Sequence, residues 1–310
     1  MILSASRRTD IPNYYADWFY NRIREGFLYV KNPMNDRQVS RIELSPEIVD
    51  CIVFWTKNPV PMLKRLDELK EYTYYFQFSL TGYRHDIEPF VPHKKDRMIP
   101  AFQELSNRIG VKRVIWRYDP ILFNDVYTME YHKKAFTQIA RSLEGYTRKC
   151  VISFVDRYAK NKKSMDALHA QEPDEEALKS FARDLSAVAH ASGMEIATCA
   201  ERIDLEDCGI AHNCCIDPIL IEELLGCGIK AAKDKYQRAE CGCMESVDIG
   251  SYDTCRNGCK YCYANRSAAA AEKNSLLYDA DSPLLCGKPI ENDLVTERKL
   301  KSIRNIAFDN

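Results

Sequence analysis

Three cysteines in the last fifth of the chain, Cys255, Cys259 and Cys262 of "CRNGCKYC", stand four and then three positions apart. Thiolates that close along one loop can each bind a different iron of a cubic 4Fe-4S cluster, leaving the fourth iron without a protein ligand and open to chemistry. Zinc more often takes four ligands from paired CxxC knuckles, and no matching knuckle is present. Gly258 supplies backbone freedom for a tight wrap, and Tyr261 and Tyr263 are placed to shield a bound cluster from water.

The rest of the sulfur is unevenly spread. Of 13 cysteines, only Cys51 and Cys150 precede residue 199; both sit in apolar runs, "VDCIVFW" and "KCVISFV", and read as small buried hydrophobes. Cys241 and Cys243 form a CxC pair in "ECGCM", and Cys199 ends "EIATC". Cys199, Cys215, Cys241 and Cys243 are therefore expected to form a second set. It would hold a fully ligated 4Fe-4S cluster that relays electrons, or a structural zinc; unrelated buried cysteines are the third reading. Spacing does not decide among Cys208, Cys214 and Cys215.

Elements that could position these residues follow from periodicity. Six runs rich in β-branched and aromatic residues, "MILSAS", "DCIVFWT", "YTYYFQFSL", "KRVIWRY", "KCVISFV" and "MEIATCA", alternate with segments of helical period. The helices are expected at 14–25, 60–69, 97–109, 129–143 and 174–191, the last with Leu178, Phe181, Ala182, Leu185 and Val188 on one face. This rhythm predicts an α/β fold with a parallel sheet, a full or partial TIM-type (β/α) barrel in a single domain. Residues 1–200 would supply barrel units, and 201–310 a cysteine-rich part that carries the cluster loop and closes the barrel.

In such a fold the loops after the strands converge, and here they are polar: "SRRTDIP", "TKNP", "TGYRHD", "RYDP", "DRYAKN" and "AERID". Arg117 and Asp119, and likewise Asp156 and Arg157, directly abut apolar strands, so their side chains start at the mouth. A net charge of -1, from 44 Lys+Arg against 45 Asp+Glu, gives no general pull toward nucleic acid. No run of about 18 apolar residues offers a membrane span, and "MILSASRRTD" is unlike a secretory signal, so a cytoplasmic location is expected. An odd cysteine count argues against a disulfide framework.

"CRNGCKYC", with an aromatic before its third cysteine, resembles the signature loop of the radical S-adenosylmethionine superfamily, whose fold is a full or partial β/α barrel. "SRRTDIP", "VFWTKNP", "VIWRYDPI", "ISFVDRY" and "CGCMESVDIGSYDTCRNGCKYCYAN" further resemble one bacterial family of unknown function with a C-terminal cysteine cluster of this kind. The resemblance implies that Cys255, Cys259 and Cys262 ligate a 4Fe-4S cluster and that Tyr261 lies near the adenine of S-adenosylmethionine. In the superfamily, one electron from the cluster cleaves that cofactor, and the resulting 5'-deoxyadenosyl radical abstracts hydrogen from a substrate.

In most of the superfamily the cysteine loop follows the first strand, so its position near residue 260 implies a circular permutation. "ESVDIGSY" would be the first strand and "MILSAS" the second. "SRRTD" would then bind the cofactor's methionine moiety, through Ser6, Arg7, Arg8, Thr9 and Asp10, although the superfamily's glycine-rich sequence is absent. Arg117 and Asp119 would assist at the mouth. The expected function is a radical enzyme acting on a small anionic molecule, with one or two 4Fe-4S clusters, S-adenosylmethionine, and a reductant such as ferredoxin or flavodoxin. The alternative is a non-catalytic iron-sulfur protein for electron transfer or redox sensing.

Overall fold

Six strands form where the six apolar runs stand, because each run is enclosed along most of its length, as the interior of a parallel sheet requires. The protein is described by a computed structural model over residues 1–157 and 161–305. Strand β1 (Ile2–Ala5) leads into helices α1 (Ile11–Tyr14) and α2 (Ala16–Glu25), the latter closed by Gly26 in the left-handed region. A hairpin of β2 (Phe27–Asn32) and β3 (Asn35–Glu43) follows. Then come β4 (Cys51–Thr56), α3 (Val60–Leu63), β5 (Tyr74–Ser79), α4 (Ile99–Ile109), β6 (Val114–Ile121), α5 (Met129–Ser142) and β7 (Lys149–Phe154). Next are α6 (Lys162–Ala167), α7 (Glu175–Ala191), β8 (Glu195–Thr198), β9 (Ala211–His212), α8 (Pro218–Leu225), β10 (Val247–Asp248), α9 (Ala268–Ser275) and β11 (Leu294–Glu297).

The main sheet has eight strands in the order β10-β1-β4-β5-β6-β7-β8-β9. Every ladder in it is parallel. β10 lies beside β1, with Leu3 opposite Val247 and Ser4 opposite Asp248, so the segment before the cysteine loop joins the sheet next to the N-terminal strand. Among the described residues no ladder joins β9 to β10, and the sheet is open at those edges.

Alternation along the strands divides the core. Ile2, Val53, Tyr75, Ile115 and Val151 face one side, where Ile216, Ile221 and three cysteines of the second set pack on them. Leu3, Phe54, Phe76, Trp116 and Ile152 face the other side and meet the helices. In α7 the expected face is observed: Phe181, Ala182 and Leu185 are buried, Leu178 and Val188 pack at its edge, and Asp174 caps the helix by accepting from Ala177 N. Outside this plan stands a second sheet, β11-β3-β2, which the sequence reading did not anticipate. No helix among the described residues is long and apolar enough to cross a membrane.

Candidate functional site

Parallel strands deliver their following loops to one edge of the sheet, and there a cavity of about 710 Å³ opens. Its wall contains Ser6 to Asp10 after β1, Lys57 after β4, Arg117 and Asp119 of β6, and Cys199 after β8. The same wall takes Cys215, Cys241 and Cys243, and also Cys255, Cys259, Tyr261 and Cys262. The sequence-derived site residues thus share one chamber.

Asp248, at the end of β10, joins the two ends of the chain. Its carboxylate accepts Ser4 Oγ at 2.8 Å, Ser6 Oγ at 2.6 Å, Arg7 N at 3.0 Å and Gly250 N at 3.0 Å. The approach is so close that a Cβ at Gly250 would lie 2.0 Å from Ser6 Oγ. Arg8 lies over the Tyr252 ring at 5.0 Å, and Arg7 over Trp55 at 5.1 Å. Two buried polar atoms of this loop, Arg7 Nη2 and Thr9 Oγ1, have no hydrogen-bond partner.

Asp10 is engaged by groups of the protein itself. Its carboxylate accepts Thr56 Oγ1 at 2.7 Å, Lys57 N at 2.8 Å, Asn13 N at 3.1 Å and Asn257 Nδ2 at 2.9 Å. Four donors within the protein leave it engaged, although burial pushes its pKa up. Through Asn257 this clamp grips the cysteine loop, because Asn257 Oδ1 also accepts Tyr14 Oη at 3.0 Å and Asn13 Nδ2 at 3.2 Å. Gly258 turns the loop at φ +68°, and a Cβ there would meet Phe90 at 2.9 Å and Pro89 at 3.0 Å. Asn265 Nδ2 donates to Cys255 O at 2.6 Å, closing the wrap. Burial raises all three thiols of the triad, Cys255 to about 12.

Tyr261 is anchored through its hydroxyl to Glu88, a fully buried carboxylate. Glu88 also meets Lys57 Nζ at 2.7 Å, Lys94 Nζ at 2.5 Å and Thr81 Oγ1 at 3.0 Å. Burial opposes its charge, but the two ammonium groups prevail and hold its pKa down to about 2. Lys57 Nζ lies 5.6 Å from the Tyr261 ring centre, so a cation stands beside the triad. The sequence reading named neither Lys57 nor Glu88, and the signal for Lys57 was its place in "TKNP", directly after an apolar strand.

The second set is held from β5 and β6. Tyr75 Oη and Gln77 Nε2 donate to Cys215 O at 2.6 and 2.9 Å, and Arg117 Nη1 reaches Cys215 Sγ at 2.7 Å. Cys199 Sγ stands 3.2 Å from Cys215 Sγ, and Cys215 N and Ile216 N donate to Cys243 Sγ at 3.2 and 3.4 Å. The neighbouring Cys243 brings the Cys241 thiol down to about 7. Of the cysteines that spacing could not separate, Cys215 lies on the cavity wall, whereas Cys208 Sγ donates to Lys179 O of α7 at 3.5 Å. Cys214 lies outside the lining, against Gly242.

Arg117 and Asp119 form a bidentate pair with each other, so neither presents a free charge to the cavity. Arg157 is off the wall, paired with Asp166 at 2.9 Å and Glu172 at 2.8 Å. Among the described residues no three His, Cys, Asp or Glu side chains converge tightly enough to hold a single metal ion.

Over residues 2–264 the chain matches a family described as "Domain of unknown function (DUF1848)". No curated protein matches it. Among solved structures it is similar to a provisionally assigned alpha-L-fucosidase from Bacteroides thetaiotaomicron, at 13% identity and a TM-score of 0.26, over 51% of this chain and 66% of that one.

Proposed function

The chain belongs to the DUF1848 family, and we propose that it is a radical S-adenosylmethionine-like iron-sulfur enzyme whose reaction takes place in the cavity at the strand ends. The observation that carries this reading is the meeting of a three-cysteine loop with unpartnered, buried Arg7 Nη2 and Thr9 Oγ1 in one chamber. A buried guanidinium nitrogen without a partner is costly, and a bound carboxylate would satisfy it. The triad fits a multinuclear cluster better than one zinc ion. Zinc more often takes four ligands from paired CxxC knuckles, and the triad has no matching knuckle in the sequence.

When bound, the cluster and S-adenosylmethionine would supply one-electron reductive cleavage of a carbon-sulfur bond. The chain's own residues do the rest. Cys255, Cys259 and Cys262 would hold the cluster, and Arg7 and Thr9 would bind the cofactor's carboxylate and amino end; Asp10, Asn257 and Asp248 fix the two loops relative to each other. Lys57, beside Tyr261, favours an anionic group in the chamber, which agrees with a small anionic substrate. The parallel pairing of β10 with β1 supports a permuted partial barrel, with β10 in the place of the first strand.

A second reading has its own support. Asp10, Arg117 and Asp119 are engaged with protein partners, which leaves fewer groups for a methionine moiety and favours an electron-transfer protein. One experiment separates the two. Anaerobically reconstituted protein is assayed for iron and sulfide, then treated with dithionite and S-adenosylmethionine. Release of 5'-deoxyadenosine, abolished in Cys259→Ala, supports the enzyme; iron without cleavage and without a cofactor-dependent change in electron paramagnetic resonance overturns it.

A further inference from the structure

A second cavity, about 630 Å³, lies on the helical side of the sheet between the loop after β5 and helices α4 and α5. That size suits a small molecule rather than a water cluster. Its floor is apolar, made by Ile99, Ala135 and Ile139 with the Tyr131 ring at one side. Its rim is basic: Arg84, Lys94, Lys95 and Arg141 line it together with His85 and His93, and no aspartate or glutamate does.

The histidines and Lys94 are already engaged. His93 pairs with Asp96 at 2.8 Å, His85 Nε2 contacts Val91 O at 3.2 Å, and Lys94 is bound to Glu88. Arg84, Lys95 and Arg141 differ, since among the described residues none has a carboxylate within ion-pairing distance. Arg84 instead lies over the Tyr131 ring at 5.8 Å, which places its planar fork at the cavity edge. Arg84, Lys95 and Arg141 are exposed, so three solvent-facing cations rim an apolar floor. The cations suit a dianion that takes bidentate guanidinium contacts, and the floor suits a ring or short hydrocarbon.

We propose that this second cavity binds a phosphate monoester carried on an aromatic or apolar body. Lys94 and Tyr83 form the partition from the first chamber: Lys94 bonds Glu88, which holds Tyr261, and the Tyr83 ring lies 5.6 Å from that of Tyr261. The ligand therefore sits one buried ion-pair network away from the cysteine loop. The proposal needs no metal and stands apart from the function assigned to the first chamber.

Phenyl phosphate is the probe, titrated calorimetrically into the full chain at about 50 mM salt, where exposed charges are only partly screened. One saturable site is expected, with inorganic phosphate about tenfold weaker for lack of the ring. Arg84→Gln combined with Arg141→Gln weakens binding about tenfold or more. Arg84→Lys with Arg141→Lys keeps most of the affinity, and Arg7→Gln in the first chamber leaves it unchanged. No saturable binding, or binding that survives the double glutamine variant, overturns the proposal. So does binding lost only in Arg7→Gln, which would place the ligand in the first chamber. Equal affinity for inorganic phosphate removes the apolar body from the assignment, and tighter, salt-sensitive binding of a short oligonucleotide replaces the small molecule with nucleic acid.

Discussion

The two cysteine sets face the same chamber but are built in opposite ways. In the triad no thiol hydrogen-bonds another, and each is placed by a loop whose backbone and Asn257 are clamped from outside. In the second set Cys199 Sγ stands 3.2 Å from Cys215 Sγ, and Cys243 Sγ accepts from Cys215 N and Ile216 N. The first arrangement is set by the loop's own backbone and the Asn257 clamp. The second relies on sulfur-sulfur contact, Arg117 and two backbone amides. The loop can be read from its own spacing, whereas the second set, named in the sequence from a CxC pair and a strand end, shows its internal contacts only once the fold is known.

The comparison breaks first at the clamp. Asp10→Ala leaves four buried donors without an acceptor and is expected to cost about 4 kcal/mol in urea unfolding, and with it the iron bound by the triad. Replacing Cys215 with serine should spare triad iron, and equal loss in both variants would mean that the sets are one site.

Acid titration tests the same side of the chamber. Glu88 has a folded pKa of about 2, below the ordinary glutamate value of 4.5, so its contribution is fully present above pH 4.5 and fades as pH falls toward 2. That contribution is about 3 kcal/mol, and the Glu88→Gln variant should lose this acid limb in urea midpoints measured between neutral and acid pH. An unchanged limb would place the acid sensitivity elsewhere.

Gly258→Ala is a smaller perturbation, about 2 kcal/mol from the left-handed backbone and the contact with Phe90 and Pro89. It should lower iron bound by the loop while leaving alkylation of Cys241 unaltered. The smallest effect belongs to Cys214→Ser, within about 0.5 kcal/mol and without change in metal content, since Cys214 is off the wall. A loss of metal there would show that the second set has been drawn from the wrong cysteines.

The main strands were legible because a strand buried on both faces is a continuous apolar run, as in "CIVFWT" and "YYFQFS". β3 was not, because four of its first residues, Asn35 to Gln38, are exposed and polar, and β11 is exposed throughout. The cysteine loop was legible by local spacing alone. Its supports were hidden, since Asp10 and Asn257, or Glu88 and Tyr261, meet across long stretches of chain that no short-range pattern spans. Arg117 and Asp119, expected in the loop after the fourth strand, lie within β6 and line the cavity, and their mutual pairing depends on rotamers that sequence does not encode.

The union of β1 with β10 also sets an order of events during synthesis. Ser4, Ser6 and Arg7 emerge early, but the carboxylate that organises them belongs to residue 248. At usual elongation rates the interval is on the order of 10–50 s, during which β1 has β4 on one flank and a bare edge on the other. The chamber therefore becomes whole only after the 255–262 loop has been made, and any metal it takes must enter after that point.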